Sequence, residues 1–356
     1  MGAYRLEVDY SIWPANQGYR MPAEWEEHSA TWLSWPHNRD TWPDALPAVE
    51  SAMVSIIEAL SESERIRINV LNESHERHVT GLLCGRVEPR AITFHQFPTN
   101  DAWCRDHGAI FLTRDRKVSS LMALDFEYNA WGKKYPPYDL DRVISRSMAN
   151  ALSIPLFLPG MVLEGGSVDV NGVGALLTTE QCLLNRNRNP WMDRVEIETR
   201  LKNAFGVKQI IWLGRGIEGD DTDGHIDQLA RFVAVDRVVT VIESDRDNPN
   251  YLPLLKNREQ LNDIRLLDGG ALEILSLPMP NVPPYQGRHL PASYTNFYVA
   301  NDVVLLPVFG CDQDDHAREI ISDCFVGRKI VSINCRPILM GLGAVHCLTQ
   351  QVPFFD

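Results

Sequence analysis

The stretch Ser167-Val-Asp-Val-Asn171-Gly172-Val-Gly-Ala-Leu-Leu-Thr178 is typical of two short strands joined by a tight turn. Asn and Gly tolerate the positive φ angles that a two-residue hairpin loop requires, so Asn-Gly is the strongest short-range hairpin signal. We predict a β-hairpin with strands at residues 167–170 and 174–178. A helix is predicted at 192–205 and a strand at 208–213, so the hairpin opens a β-β-α-β unit.

Similar units recur before and after this hairpin. Further hairpins are predicted at 109–113 with 118–123, 229–235 with 238–242, and 294–299 with 303–306, where Pro307 is expected to end the second strand. The four turns lie at residues 115, 171, 236 and 301, which are 56, 65 and 65 residues apart. Helices are predicted after the other hairpins, at 139–152, 251–264 and 313–324, and a strand at 329–333 follows the last helix. A fixed spacing of similar units indicates a repeat fold.

The two ends of the chain complete this pattern. Strands are predicted at 30–35 and 66–70. Between them a helix is predicted to end at about residue 61, because apolar residues recur at helical spacing at Leu46, Val49, Met53, Ile56 and Leu60. The strand at 30–35 and a C-terminal strand around 345–347 have no hairpin partner, so we expect them to pair and close a ring. The predicted fold class is α/β, a five-bladed pseudo-symmetric α/β propeller of ββαβ units around a central channel, with residues 1–356 as one domain.

Composition limits the classes of partner. The chain has 356 residues and a formal net charge of −13, which argues against nucleic acid and anionic membranes as partners. No secretory signal or long apolar run is visible, so a cytoplasmic location is expected. The seven cysteines are scattered without a CxxC pair, which favours reduced thiols over a disulfide framework or a zinc site. Whether copies of the chain form a homo-oligomer is left open.

Chemically reactive residues precede the hairpins at matching positions. Asp106, Glu164 and His225 are 58 and 61 residues apart, and Asp227 lies two residues beyond His225. Each has an ordinary structural explanation. Asp106 could form an ion pair with Arg105, and Glu164 could be a turn residue. His225 and Asp227 could share one face of a strand, where the carboxylate orients or merely solvates the imidazole. Because equivalent points of a propeller face the same channel, their common position predicts one shared site.

Cys347 is the candidate nucleophile. It lies in Gly341-Leu-Gly-Ala-Val-His346-Cys347-Leu-Thr-Gln-Gln351, beyond two glycines and beside a histidine, which suits a thiol on a mobile loop. A buried C-terminal strand with an inert cysteine would give the same local pattern. The predicted closure of the ring favours the first interpretation, because it brings Cys347 to the channel.

Three carboxylates, a histidine and a cysteine in one cavity suit a planar cation. A Cys-His-Asp group alone resembles a papain-like hydrolase, but two further acids would raise the energy of the oxyanion formed in amide hydrolysis. Carboxylates bind a guanidinium through paired, charge-assisted hydrogen bonds. Metal binding by the same residues is the alternative, although no spacing typical of a zinc or calcium site supports it.

A hydrolytic mechanism follows from these residue types. Asp106 and Asp227 would grip the guanidinium, and Cys347 would attack its carbon as a thiolate. His225 would protonate the departing ammonia and then activate water, while Glu164 would hold His225 and a guanidinium nitrogen in register. Because nearby carboxylates raise the pKa of a thiol, we expect the cationic substrate, a charged His225 or both to supply compensating charge.

Six motifs follow one another along nearly the whole chain: Met21-Pro-Ala-Glu-Trp25 with Thr31-Trp-Leu-Ser-Trp-Pro36, Asn100-Asp-Ala-Trp-Cys-Arg-Asp106, Phe126-Glu-Tyr-Asn-Ala-Trp-Gly132, Leu163-Glu-Gly-Gly-Ser167, Gly224-His-Ile-Asp227 and His346-Cys-Leu-Thr-Gln-Gln351. Together they resemble the agmatine deiminase (agmatine iminohydrolase) family, including its bacterial peptidylarginine deiminase-like branch, in the guanidino-modifying (pentein) superfamily of five-bladed propellers. The resemblance implies hydrolysis of agmatine to N-carbamoylputrescine and ammonia, without cofactor or metal. By motif, the family's catalytic residues map onto Asp106, Glu164, His225, Asp227 and Cys347.

Two departures and several alternatives concern the substrate. The loop Gly341-Leu-Gly-Ala-Val-His346 differs from the family's usual Gly-Gly-Gly-Asn-Ile-His, and Ala109 replaces a common proline. By the same resemblance, Trp103 is expected over the substrate's methylenes, or else in the core. Peptidylarginine deimination, amidino transfer and non-catalytic guanidine or polyamine binding are the alternatives. Free arginine is disfavoured, because no basic group for its carboxylate is identified. The glycines of residues 341–346 suggest a lid.

Overall fold

The computed structural model describes residues 9–115, 120–285 and 287–355. Five small sheets, each with its own crossover connections, account for the strands of this part of the chain. In chain order the strands are β1 (His28–Ser34), β2 (Arg65–Asn69), β3 (Ile92–His95), β4 (Ile110–Thr113), β5 (Leu121–Leu124), β6 (Leu156–Phe157), β7 (Asp169–Val170), β8 (Ala175–Thr179), β9 (Gln209–Leu213), β10 (Ala230–Ala234), β11 (Arg237–Ile242), β12 (Glu273–Pro278), β13 (Tyr298–Val299), β14 (Val303–Val308), β15 (Lys329–Asn334) and β16 (Thr349–Pro353).

Helices connect these strands, and short helical turns precede several hairpins. In chain order the helices are α1 (Leu46–Leu60), α2 (Glu73–Leu83), α3 (Cys104–His107), α4 (Ala130–Lys133), α5 (Ile144–Leu152), α6 (Glu180–Leu183), α7 (Arg194–Phe205), α8 (Tyr251–Asp263), α9 (Gln313–Cys324), α10 (Arg336–Leu339) and α11 (Val345–Leu348). The 3₁₀ turns are Pro14–Gln17, Pro89–Ala91, Asp141–Val143, Gly165–Ser167 and Ile226–Gln228. Within the described residues, no helix has the length and apolar character needed to cross a membrane.

Every sheet repeats one pairing pattern, which confirms the predicted five-bladed α/β propeller. In each of the four later blades an antiparallel hairpin is followed by a third strand that pairs parallel with the hairpin's second strand. The first blade has the order β16-β1-β2-β3, with β16 antiparallel and β2 parallel to β1. β16 therefore stands where the other blades have their first hairpin strand, so the two ends of the chain close the ring.

The predicted helices form because each has an apolar face to bury. Val49, Met53, Ile56 and Leu60 of α1 are fully buried, while Leu46 is only partly so. α7 begins at a reciprocal capping box, in which Asp193 and Glu196 each accept a hydrogen bond from the other's backbone N–H. The helices predicted at 139–152, 192–205, 251–264 and 313–324 are all confirmed, the first with a 3₁₀ start at Asp141–Val143.

Several boundaries differ from the prediction. The predicted strand at 345–347 is wrong, since those residues form α11 and the pairing strand begins at Thr349. The strand predicted at 294–299 is reduced to β13. Pro307 lies inside β14 rather than ending it; only Val304 and Leu305 pair with β13, so at Pro307 that edge of the strand is open. Residues 118–119, predicted to begin a strand, lie outside the described residues.

Polar bonds tie neighbouring blades together where the hairpins meet. The Asn171 side chain of the third blade donates to the Val235 carbonyl of the fourth, and Gly172 beside it has a φ of +75°. Arg231 of β10 donates to the Asp169 carboxylate of β7 at 2.6 Å. Asn301 exchanges two bonds with the backbone of His28, which links the fifth blade to the first. These contacts join the third blade to the fourth and the fifth blade to the first.

Candidate active site

The turns that precede the hairpins converge at one end of the propeller. α3 contacts both the Gly165–Ser167 turn and α11, and the Gly165–Ser167 and Ile226–Gln228 turns contact each other. The five predicted residues are therefore brought together: three predicted from their position before a hairpin, Asp227 beside His225, and Cys347 from the closure of the ring. All five are buried side chains: Asp106, Glu164, His225, Asp227 and Cys347.

Local backbone structure differs from what the sequence suggested for two of these residues. His225 and Asp227 do not share a strand face; His225 caps the 3₁₀ turn Ile226–Gln228, and Asp227 lies within it. Glu164 occupies the same capping position on the Gly165–Ser167 turn. Short helical turns, not strands, therefore present the functional groups, and each turn gives its side chains a different direction into the cavity.

Gly166 is required by the close approach of three side chains. A Cβ atom added there would lie 2.6 Å from His225 Nδ1, 2.9 Å from Asp106 Oδ1 and 3.0 Å from Asp227 Oδ2. The Gly166 N–H also donates to Asp106 Oδ1 at 2.9 Å. The glycine that follows Glu164 thus has a specific role, since any side chain would separate the imidazole from the carboxylates.

Cys347 is held by an amide and faced by a carboxylate. Asn296 Nδ2 donates to Cys347 Sγ at 3.1 Å, and Sγ lies 3.6 Å from Asp227 Oδ2. Burial, together with the charges of Asp227 and Asp106, raises the pKa of the Cys347 thiol well above its ordinary value, although the Asn296 bond acts in the opposite direction. The thiol is therefore protonated near neutral pH in the free protein, as expected for a sulfur among carboxylates.

His225 lies between two carboxylates without being tightly bound to either. Its Nδ1 is 3.7 Å from Asp106 Oδ1 and its Nε2 is 3.9 Å from Glu164 Oε2. Burial favours the neutral ring, but Asp106, Cys182 and Glu164 together raise the pKa of His225 well above its ordinary value. Burial and the charges of Asp227 and Glu164 raise the pKa of Asp106, with His225 opposing them.

Sequence reasoning missed the partners that orient these acids. Arg188, fully buried, donates from Nε to Glu164 Oε1 at 2.7 Å and from Nη1 to Asp223 at 2.7 Å. Although burial opposes ionisation, Arg188 and His225 lower the pKa of Glu164. Nothing in the spacing of the repeat distinguishes Arg188, because it lies in a loop that follows α6.

Trp131 and Asn296 had weaker signals in the sequence. Trp131 Nε1 donates to Asp106 Oδ2 at 2.9 Å, so the motif from Phe126 to Gly132 contributes directly to the site. Three non-glycine residues of α4 (Ala130, Trp131 and Lys133) have positive φ angles of 50°, 54° and 66°, so this turn is left-handed. Asn296 precedes the fourth hairpin, the position that Asp106, Glu164 and His225 occupy before the others, and that position could have identified it.

A second histidine, His346, is bound more tightly than His225. Its Nδ1 lies 2.8 Å from Asp227 Oδ2 and its Nε2 lies 2.9 Å from Glu24 Oε2. Asp227 lies only two residues from His225 in the chain, yet its hydrogen bond goes to His346. Burial opposes ionisation of Asp227, yet the bond from His346 and its charge lower the pKa of Asp227.

Trp103 is buried beside the loop that carries Cys347. Its ring lies 5.3 Å from that of Trp42, and a Cβ at Gly343 would collide with the Trp103 ring. A Cβ at Gly341 would likewise collide with Trp42. The two glycines thus allow residues 341–346 to pack on the tryptophan pair. Leu342 between them has a φ of +70°, so the loop adopts a glycine-like conformation at a leucine.

Glu164, Cys182 and His225 form the one described group of side chains with metal-ligand spacing, their ligand atoms lying within 4.8 Å of one another. The donor types would suit a transition metal. However, Arg188 already neutralises Glu164, and the charged form of His225 cannot donate a lone pair. These residues therefore fit an ion pair of Glu164 with Arg188 beside a charged imidazole better than a metal centre.

The fold and this cluster together define a class of protein, an α/β propeller with a thiol and an imidazole in a buried cluster of carboxylates. The chain matches the family described as Porphyromonas-type peptidyl-arginine deiminase over residues 20–353. It is 36% identical over 342 residues, 96% of this chain and 97% of the relative, to a Legionella pneumophila (strain Paris) protein that carries a provisional agmatine deiminase name. It is 32% identical to the agmatine deiminase of Medicago truncatula over 371 residues, covering 96% of this chain and 98% of that one.

A solved structure agrees with these sequence matches. The agmatine deiminase of Enterococcus faecalis superimposes with a TM-score of 0.89 at 30% identity, covering 96% of this chain and 98% of that one. The chain therefore belongs to the agmatine deiminase family of the guanidino-modifying (pentein) superfamily.

Proposed function

We propose that this protein is a hydrolase that converts agmatine and water to N-carbamoylputrescine and ammonia. The supporting observation is a set of buried, unpaired acceptors around the thiol. Among the described side chains, Glu164 Oε2 and Asp227 Oδ1 have no hydrogen-bond partner in the protein. A buried acceptor without a partner costs about 1–3 kcal/mol. Two such carboxylate oxygens in one cavity match the N–H donors of a guanidinium.

Substrate binding would use the acids in different ways. Asp227 Oδ2 is bound by His346, so Oδ1 remains for the guanidinium. Glu164 Oε1 is bound by Arg188, so Oε2 remains for a second nitrogen. The raised pKa of Asp106 falls again when a cation approaches, so substrate binding would favour its charged form.

The covalent steps would use Cys347 and His225. Once the cation compensates the nearby carboxylates, Sγ releases its proton to solvent, and the thiolate attacks the guanidinium carbon to form a tetrahedral adduct. The C–N bond breaks as His225 donates its proton, and ammonia leaves an S-alkylthiouronium on Cys347. The resulting neutral His225 then accepts a proton from water, and the water oxygen attacks the same carbon. The C–S bond breaks, the added hydroxyl group gives its proton to Sγ, and the urea group of N-carbamoylputrescine is released with the thiol and the charged His225 restored.

Peptidyl-arginine is the second candidate substrate, because the matching family carries that description. The burial of the site favours a small free molecule. Cys347 is 7% exposed, and the Trp103–Trp42 pair and the residue 341–346 loop pack beside it. A peptide backbone would have to approach a thiol that the chain itself encloses. We further propose that residues 1–356 act as one catalytic domain, which the pairing of β1 with β16 supports. We also propose that the protein acts in the cytoplasm.

Ammonia release from agmatine, free arginine and a blocked peptidyl-arginine tests this proposal. Agmatine turnover should disappear in Cys347→Ser and persist in Cys84→Ser, which makes the same change at an exposed cysteine. The covalent adduct should be visible by mass spectrometry on Cys347 after rapid acid quenching. Turnover of the peptide alone would replace agmatine by protein arginine, and turnover of none of the three would contradict the proposed reaction.

A further inference from the structure

His346 lies between two carboxylates that both need a proton donor. Its side chain is 2% exposed, with Asp227 at Nδ1 and Glu24 at Nε2. A carboxylate accepts hydrogen bonds and a neutral imidazole carries one N–H, so two ionised partners require both ring nitrogens to be protonated. The two distances of 2.8 and 2.9 Å are typical of charge-assisted bonds.

Glu24 is ionised because positive groups surround it. Arg231 Nη2 lies 3.0 Å from Oε1, Arg105 Nη2 lies 3.3 Å from Oε2, and the Val299 N–H donates to Oε1 at 2.8 Å. Burial alone would favour the neutral acid, but Arg231 and Arg105 act in the opposite direction, and the pKa of Glu24 lies well below its ordinary value. Neutral Glu24 would leave two buried arginines insufficiently compensated.

Asp227 connects this network to the reacting groups. One of its oxygens, Oδ2, accepts from His346 and lies 3.6 Å from Cys347 Sγ, while the other, Oδ1, is unpaired. Rotation of the carboxylate would exchange the two oxygens, and the bond to His346 prevents that rotation. The backbone of His346 is fixed as well, since its N–H donates to Asn296 Oδ1 at 3.0 Å.

We infer that His346 is a charged positioning residue, an imidazolium that keeps Asp227 ionised and turns Asp227 Oδ1 toward the guanidinium. The charge of His346 is independent of the proposed function, whereas the orientation of Asp227 Oδ1 toward a guanidinium rests on it. The charged and titratable groups that face His346 and Asp227 from the surrounding elements are Glu24, Arg105, Asp106, Glu164, His225, Arg231 and Cys347. In this set His346 is the cation that directly bonds the carboxylate closest to the thiol.

Ring-nitrogen NMR of histidine-labelled protein tests the charge without any substrate. In the Cys347→Ser background, under the conditions of the binding measurement, both ring nitrogens of His346 should carry a proton, because each faces a carboxylate. The Asp227→Asn variant should change the Nδ1 signal most, because it removes the carboxylate at that nitrogen. A His346 ring with one unprotonated nitrogen in the parent protein would overturn the inference.

Agmatine binding to the same Cys347→Ser protein, measured by calorimetry, tests the positioning. In His346→Asn the side-chain amide can still donate to Asp227, so agmatine should bind about tenfold more weakly at pH 7. In His346→Gln the affinity for agmatine should fall by about a hundredfold. On acidification, both variants should lose their affinity for agmatine at a higher pH than the parent protein does, since Asp227 protonates more easily without His346. His95→Asn is the control, because it removes a partly buried imidazole on β3 whose ring contacts Arg67 and has no bond to Glu24 or Asp227.

The two measurements separate the inference from the proposed reaction. If His346→Asn and His346→Gln fold normally and bind agmatine as tightly as the parent, the positioning role is wrong. If the parent binds neither agmatine nor arginine, the proposed function is wrong, and the NMR signals of the unaltered His346 still decide whether it is an imidazolium. That NMR measurement also holds if either histidine variant fails to fold.

Discussion

The two halves of the cavity each contain a buried histidine between two carboxylates, yet the geometry differs. His225 stands 3.7 and 3.9 Å from its acids, while His346 is bound at 2.8 and 2.9 Å. A group that gives up and regains a proton in each turnover must not be held too firmly in one protonation state. A group that fixes a neighbouring carboxylate benefits from being held. The distances therefore support the proposed proton-transfer role of His225 and the proposed positioning role of His346.

The largest expected effect comes from removing the loosely held imidazole. His225→Asn should lower kcat by about a thousandfold to ten-thousandfold, because general acid–base assistance of both covalent steps is lost. His346→Asn should lower kcat much less and act mainly on KM. Steady-state kinetics with agmatine measures both, and equal losses of kcat in the two variants would remove the distinction between the halves.

Removing the anion that holds His346 should have the largest effect on the free energy of unfolding. Glu24→Gln leaves Arg105, Arg231 and His346 without their shared anion, and we expect a loss of about 3–5 kcal/mol in the free energy of unfolding at pH 7.

The sign of the pH dependence follows from Glu24. Its folded pKa is lowered well below the ordinary 4.5, so its contribution is present above about pH 4.5 and is lost as the pH falls toward the folded value. Denaturant unfolding of wild type and Glu24→Gln at pH 7 and at acid pH should show the difference shrinking on acidification. A difference that grows at low pH would contradict the charged network.

An intermediate effect is expected at the point where the two halves meet. Gly166→Ala would place a methyl group against His225, Asp106 and Asp227 at once. Because misplacement of catalytic groups by about 1 Å costs on the order of a hundredfold, we expect kcat to fall by about that factor. Thermal unfolding should change little by comparison. Gly81→Ala, where an added Cβ meets nothing within 4 Å, is the control.

The smallest effect is expected at Trp131. Trp131→Phe keeps the aromatic ring but removes the N–H that donates to Asp106 Oδ2, so kcat/KM should fall about tenfold, in line with a bond to a charged group worth about 1.5–3 kcal/mol. The edge contact of Trp131 with Tyr128 should preserve the fold. Unchanged kcat/KM would mean that Asp106 is sufficiently oriented by Gly166 and the neighbouring groups.

Hairpin and helix periodicity predicted most of the fold, since both signals are local. The Asn171-Gly172 turn, the apolar face of α1 and the spacing of four hairpins required no knowledge of distant contacts. Boundaries near the cavity were predicted least well, at α11 and at the turns after Glu164 and His225. There the backbone follows the needs of a shared cavity, and tertiary contacts override local propensity.

The sequence by itself determined which residue types come together, because the common position of Asp106, Glu164 and His225 before the hairpins, and the place of Cys347 before the closing strand, are properties of the chain. Only the tertiary structure decided which partner each of them has. Glu164 pairs with Arg188, Asp106 with Trp131, and Asp227 with His346 rather than His225. Residues 119 positions apart meet at 2.8 Å in the last pair. Hydrogen bonding depends on distances and angles in space, and sequence spacing constrains those only within one element.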